Sequence, residues 1–342
     1  MTLGRDHAGD DDMKRFLSHV LPWLVTVVAL YVAFKGVEWA ALIDHLKSAS
    51  FGWLGLAFGF TALSYLLRSR RWQCLFVDRS IDFVNAFKVL ILGFFMNNVL
   101  PARTGELVRA HMGSRVTGLT RTLVLATIAS ERLADGLAIS LMFVMFAFHR
   151  GDAETSQRLF YVAFFFAAAV SAVFLLLLLR RPLFRVVAQL AERFRGRVSA
   201  YVLDRLRIFI DGLAPLCSAA RFPIIAGWSA IIWSIELGVF AAVARAFNAE
   251  LGIAECVLFL VTVNFSSLIP AAPGGIGVIE AIASAVLVSI GVPKELALTM
   301  VIAQHVIQYL VVGIPGACIL ATSRTSLRQL KEYDEAATPI HG

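Results

Sequence analysis

The sequence predicts an all-α, polytopic membrane protein of six full spans plus two re-entrant helical hairpins, oppositely oriented in an inverted repeat. Three observations carry that prediction. Of 342 residues, 58% are hydrophobic and the mean hydropathy is +0.76, against roughly half apolar residues in a soluble domain. The apolar runs are long and continuous rather than alternating, which selects helices over a β-barrel. Two of the runs break at matching punctuation, Pro101-Ala-Arg-Thr-Gly105-Glu106 and Pro270-Ala-Ala-Pro-Gly-Gly-Ile-Gly-Val-Ile-Glu280. Proline removes a donor and glycine costs backbone entropy, so neither stretch continues a helix. Backbone freed at membrane depth persists only where protein or a wet cavity covers it.

Residues 1–19 read as a polar N-terminal tail, with 1–15 expected to be disordered. No small-residue cleavage site follows the first apolar run, so that run reads as a retained span. A single transmembrane domain occupies 20–321. It opens with Val20–Val37, where Pro22 falls in a tolerant first turn. Trp39–Ser50 is a short amphipathic piece. The second span, Phe51–Leu67, ends in Arg68-Ser-Arg-Arg-Trp72, and Trp beside a basic cluster marks a cytoplasmic interface. Phe83–Leu100 stops at Pro101; the next run, Gly105–Val116, carries Glu106, Arg109, His111 and Arg115. It is too short and polar to cross alone, since a span needs about 20 residues. Residues 83–116 therefore read as a hairpin entering from the cytoplasm. Thr122–Phe148 and Phe160–Leu179 are spans. Segment 180–215 is basic, with apolar Leu183, Phe184 and Val187 interleaved among arginines, as in a helix lying on an anionic membrane face. Pro223–Phe247 is a span. Ile253–Ile269 and Ile276–Ile290 flank the second break as hairpin 253–290, and Glu295–Ala321 is the last span, before a polar tail, 322–342.

The placement of the positive charges, in a chain of net charge +7, predicts the orientation. With the N-terminus inside, the clusters Arg68–Arg79, Arg103–Arg121, Arg180–Arg207 and Arg324–Lys331 are all cytoplasmic only if both hairpins re-enter, the first from inside and the second from outside. Both termini are then cytoplasmic, in a bacterial-type cytoplasmic (inner) membrane. Charge placed between spans argues for anionic lipid contact and against nucleic acid. Cys74, Cys217, Cys256 and Cys318 show no metal-ligand spacing and imply no disulfide framework. Gly275-x-Gly277-x-x-Glu280 lacks the preceding strand of a dinucleotide turn. No cofactor, metal site or catalytic set is expected.

The candidate substrate-binding residues lie at and around the breaks. Gly105 and Gly277 open half-helices whose unpaired N–H groups favour anions, with Asn97, Asn98, Arg103, Gly274 and Gly275 beside them. Paired breaks in two inverted halves point to a transport site near the midplane. Glu106 and Glu280 read either as helix-start caps or as gating, proton-linked carboxylates. Glu131, Arg132 and Asp135 sit mid-span, where each charge costs about 2.5–3.5 kcal/mol. Arg132 and Asp135 share a helix face and can pair. Glu131 and Asp135 repel when both are ionised, so a partner from outside is expected, with Arg103 or Arg109 as candidates. Glu236 has no cation within four residues and is expected to face a cavity. His305, with Gln304 and Gln308, reads as interhelical hydrogen bonding.

Pro101-Ala-Arg-Thr-Gly-Glu-Leu-Val-Arg109, Glu131-Arg-Leu-Ala-Asp135, Pro273-Gly-Gly-Ile-Gly-Val-Ile-Glu280 and Arg71-Trp72 together resemble the lysylphosphatidylglycerol synthase transmembrane-domain family, over about Trp23 to Ala321. The resemblance implies flippase-like movement of a lipid or lipid-linked headgroup between leaflets rather than an enzymatic activity. The chain is expected to be a stand-alone member, without the aminoacyltransferase domain that bifunctional members carry after the membrane part. The implied substrate is an anionic phospholipid or an isoprenoid-linked lipid. A lipid-synthesis enzyme and a second copy of the chain are the candidate protein partners. In this reading Arg103, Arg132 and the half-helix tips replace the headgroup's water, while Glu106, Glu131, Asp135 and Glu280 hold the arginines extended. The alternative is a non-transporting scaffold that presents lipid to a partner enzyme. An intramembrane enzyme would have only Glu131 and Asp135 as metal ligands, and Arg132 between them argues against it.

Overall fold

The structure, a computed structural model, describes residues 6–76, 81–100, 104–149, 197–269 and 271–322, with scattered positions between 168 and 189. Every regular element among the described residues is helical. Most of the expected span 160–179 and of 180–196, the break residues Pro101, Ala102, Arg103 and Pro270, and the tail beyond 322 lie outside them.

Helix α1 (Asp6–Phe34) begins well before the expected boundary: residues from Asp6 onward are helical, not a disordered tail. The sequence at its start is rich in Asp, a residue type that favours a helix N-terminus. After Gly36, at φ 70°, the chain turns by 85° into the amphipathic α2 (Trp39–Lys47). Trp39 stacks on Phe34 at 5.4 Å across that corner. Helix α3 (Phe51–Leu75) continues past Leu67 and carries the Arg68–Trp72 cluster inside its last turns.

Asp82 caps α4 (Phe83–Val99), accepting from the Asn85 backbone N–H at 3.3 Å and its Nδ2 at 2.6 Å. These donors hold the Asp82 carboxyl below the usual carboxylate range. Helix α5 (Gly105–Thr117) ends at Gly118, a left-handed cap. Helix α6 (Arg121–His149) follows. Beyond 196 come α7 (Arg197–Gly212), α8 (Phe222–Ala246), α9 (Ile253–Ser266), α10 (Val278–Ser289) and α11 (Lys294–Thr322).

Helices α3 and α8 pack most extensively, with Phe60 seated against Gly238. Phe240 and Phe259 join α8 to α9 edge to face at 4.8 Å. Helices α4 and α5 approach so closely that a Cβ on Gly105 would land on the Gly93 carbonyl oxygen. Helix α4 starts beside the C-terminal end of α3, where Gln73 donates to Ile81 O at 2.9 Å. Helix α5 ends there too, with Gly113 against Trp72 and Val124. The pair α9–α10 is flanked on both sides by contacts with the chain around α2. Ser50 N donates to Ala246 O at 2.8 Å just before it. Glu38 N donates to Glu295 Oε1 at 3.2 Å just after it.

The outer face is apolar: Leu24, Val27, Val28 and Tyr31 of α1 are all exposed. Among the described residues α3, α8 and α11 are long and apolar enough to cross a membrane, and α1 with α2 forms a bent fourth. The chain is a multi-pass, membrane-embedded helical protein.

Candidate functional site

The two breaks border one cavity of about 500 Å³. Asn97, Asn98 and Glu106 reach it from the first break, and residues 271–275 wall it from the second. Between them lie Arg68 and Tyr65 of α3, Arg132 and Asp135 of α6, Trp233 and Glu236 of α8, and His305 and Tyr309 of α11.

A continuous ion network runs from this cavity into the bundle. On α3, Ser64, Arg68, Arg71 and Trp72 recur at helical spacing and share one face. That face meets Glu131 and Asp135 of α6. Arg71 donates to Asp135 Oδ1 at 2.6 Å and to Ser229 Oγ at 2.9 Å, and lies 3.8 Å from Glu131. Arg68 bridges Asp135 at 3.2 Å and Glu236 at 3.1 Å, and Ser64 donates to Glu236 at 2.5 Å. Trp233 Nε1 donates to Asp135 Oδ1 at 3.1 Å. Arg109 pairs with Glu131 at 2.5 Å, its guanidinium 4.0 Å from the Trp72 ring. Arg132 closes the set, donating to Glu106 at 2.8 Å and lying 3.9 Å from Asp135. Arg68, Arg71, Arg109 and Arg132 thus face Glu106, Glu131, Asp135 and Glu236, four charges against four. Such balance is what permits burial, because an unpaired ion in a low-dielectric interior is strongly destabilising.

Burial grades the network. The Arg71 and Arg109 side chains are 1% and 3% exposed, those of Glu106 and Arg132 35% and 34%. Glu106 and Arg132 therefore form the accessible end. Of the expected partners for Glu131, Arg109 is in place; Arg103 lies outside the described residues. Arg68 and Arg71 are absent from the site residues expected from sequence, because a basic cluster ending in Trp reads as a membrane interface. In the fold Trp72 is fully buried, donating to Thr127 Oγ1 at 3.0 Å, and of the cluster only Arg70 is exposed. The signal that could have found them is the recurrence of Thr61, Ser64, Arg68 and Arg71 on one face.

The helix tips differ from the anion-binding expectation. Gly105 N–H donates to Asn97 Oδ1 at 2.9 Å, so Asn97 caps α5. Gly277 N–H donates to Glu280 Oε2 at 2.7 Å, so Glu280 caps α10. Both leading donors therefore have internal acceptors, and the described cations that line the cavity are Arg68 and Arg132. Between the readings left open for the two glutamates, Glu280 is a cap, while Glu106 pairs with Arg132 instead.

The second break is held by its neighbours. His305 Nδ1 lies 2.6 Å from Glu280 Oε1, and its Nε2 lies 3.2 Å from Gly274 O. Both ring nitrogens lie within hydrogen-bonding distance of an oxygen, so His305 ties the Glu280 cap to the Gly274 carbonyl. Tyr309 Oη donates to Pro273 O at 3.2 Å, and Ala272 N to Thr26 Oγ1 at 2.9 Å. Gly274 has φ 74°, and a Cβ there would collide with Tyr309 Oη. Gly274 and Gly275 line the cavity; Gly277 and Glu280 sit behind it, as Arg109 and Glu131 do on the other side. Among the described residues no group of three or more His, Cys, Asp or Glu side chains is placed to hold a metal ion.

The sequence profile of the lysylphosphatidylglycerol synthase TM region matches residues 20–316. The chain is similar to UPF0104 membrane protein PH1989 of Pyrococcus horikoshii, 22% identical over 336 residues, covering 92% of this chain and 99% of the relative. It is also similar to UPF0104 membrane protein MJ1595 of Methanocaldococcus jannaschii, 29% identical over 119 residues and 34% of each chain.

Proposed function

We propose that this chain, which belongs to the lysylphosphatidylglycerol synthase TM region family, carries a lipid or lipid-linked headgroup between the leaflets of a cytoplasmic (inner) membrane. In this reading 83–116 and 253–290 are re-entrant hairpins, six helices span, both termini are cytoplasmic, and no covalent chemistry is performed. The observation that carries it is the cavity: ionised walls inside an otherwise apolar bundle, at the point where both breaks meet. Charge at membrane depth is costly unless it faces a wet cavity or a ligand. Leu268 and Ile269, both exposed, also line the cavity, giving it an apolar rim on which acyl chains remain in contact with the bilayer. A headgroup at Arg132 exchanges its water for guanidinium donors that are already in place.

Reconstitution tests this. Proteoliposomes holding fluorescent phospholipids of several headgroup classes are expected to show faster exchange between leaflets than protein-free vesicles, and Arg132→Ala to slow it at least tenfold. Absence of acceleration for every class, with wild type equal to Arg132→Ala, would overturn the assignment. Stable co-purification with a lipid synthase in that case would favour the scaffold role instead.

A further inference from the structure

Building on the translocation reading, we infer that the cavity takes a zwitterionic headgroup, a phosphate beside a primary ammonium, and that Glu106 sets this requirement. Among the described residues the cation most open to a phosphate is Arg132. Arg68 is committed to Asp135 and Glu236, and its side chain is only 10% exposed. Arg132 is open to the cavity, with its guanidinium 5.3 Å from the Phe94 ring. Its Nε, however, already donates to Glu106 at 2.8 Å. The other N–H groups of that guanidinium can meet a phosphate, which then competes with Glu106 for the same cation.

The cost of that competition to Glu106 depends on the rest of the headgroup. Among the described residues the charged side chains lining the cavity are Arg68, Arg132, Glu106, Asp135 and Glu236, and Arg71 pairs with Asp135 from behind, so these charges balance. A net-anionic headgroup adds a negative charge to this balanced set and competes with Glu106 for its cation. A displaced carboxylate in a low-dielectric site is the costly outcome. A zwitterion adds no net charge, and its ammonium lies one short linker from the phosphate. One ion pair is then exchanged for two: phosphate with Arg132, ammonium with Glu106. A primary ammonium also donates hydrogen bonds to the carboxylate, which a quaternary one cannot. Phosphatidylethanolamine has this headgroup chemistry; phosphatidylglycerol and phosphatidylcholine each lack one part of it.

The test is competitive lipid binding to the full chain in detergent, read by native mass spectrometry. Phosphatidylethanolamine, phosphatidylglycerol and phosphatidylcholine with identical acyl chains are the probes. Wild type is expected to retain phosphatidylethanolamine at least fivefold over either competitor. Glu106→Gln, which removes the carboxylate charge, is expected to shift the ethanolamine-to-glycerol ratio at least tenfold towards glycerol. A measurement independent of any variant's folding uses wild type alone: N-acetylation of the ethanolamine is expected to abolish its advantage. Preference of wild type for phosphatidylglycerol, an unchanged ratio in Glu106→Gln, or full retention of the N-acetylated lipid would each overturn the inference. Ethanolamine selectivity without accelerated exchange in proteoliposomes would remove translocation and keep the headgroup assignment. Accelerated exchange with no selectivity would do the reverse.

Discussion

Arg71 holds the buried part of the network together. Its side chain is 1% exposed, and it touches Asp135, Glu131 and Ser229. Arg71→Ala removes the cation and leaves Asp135 and Glu131 short of a partner in a closed interior. Breaking one side of such a pair costs about 3–5 kcal/mol, so the variant is expected to melt far below wild type in detergent. Arg70→Ala, one residue away and exposed, is expected to stay within about 0.5 kcal/mol of it. A comparable loss in both would mean that general basicity, not the network, is what matters. The contrast also marks where the sequence becomes unreadable. Arg132 and Asp135 are close in the chain and their pairing follows from helical spacing. Arg71 and Asp135 are 64 positions apart, and Arg68 and Glu236 168. Nothing local distinguishes an arginine that meets lipid headgroups from one that meets a carboxylate on another helix.

Among the elements, the two breaks were legible because proline and glycine carry their own backbone constraints; what closes on them was not. Asn97, eight residues from Gly105, supplies the cap for α5, and Thr26, 246 residues from Ala272, supplies an acceptor at the second break. These placements depend on how helices dock, which periodicity does not encode. The dependence can be measured at Gly274 and Gly313. Gly274→Ala forces a methyl group into the Tyr309 hydroxyl at a φ that disfavours any side chain. Gly313 lies in α11 with nothing within 4 Å of a built Cβ. Gly313→Ala is expected to be neutral or to stabilise by up to about 1 kcal/mol, and Gly274→Ala to destabilise by at least about 1–3 kcal/mol. His305→Ala is expected to lower the melting temperature as Gly274→Ala does, since it strips partners from both Glu280 and the Gly274 carbonyl. If His305→Ala melts like wild type, the second break does not depend on α11 for its shape.

For the whole molecule the question is whether the broken pairs return to the side they left. Helix α4 begins, and α5 ends, beside the C-terminal end of α3. Helix α8 ends next to Ser50, and α11 begins next to Glu38, so both contacts fall near the two ends of α2. Lys294 Nζ also donates to Lys35 O at that corner. These contacts favour two hairpins, each closing on its own end of the bundle, over two more crossings. Positive-inside counting gives the same layout from charge alone. Single cysteines in a background lacking Cys74, Cys217, Cys256 and Cys318 would decide it. Ser48, Thr120, Glu250 and Ser289 are exposed and lie between or at the ends of helices. In intact cells a membrane-impermeant thiol reagent is expected to label cysteines at 48, 250 and 289 but not at 120, which should react only after the membrane is opened. Labelling of 250 and 289 from opposite sides would make 253–290 a crossing segment. Labelling of 120 from outside would do the same for 83–116. Either result would remove the inverted pairing on which the midplane site depends.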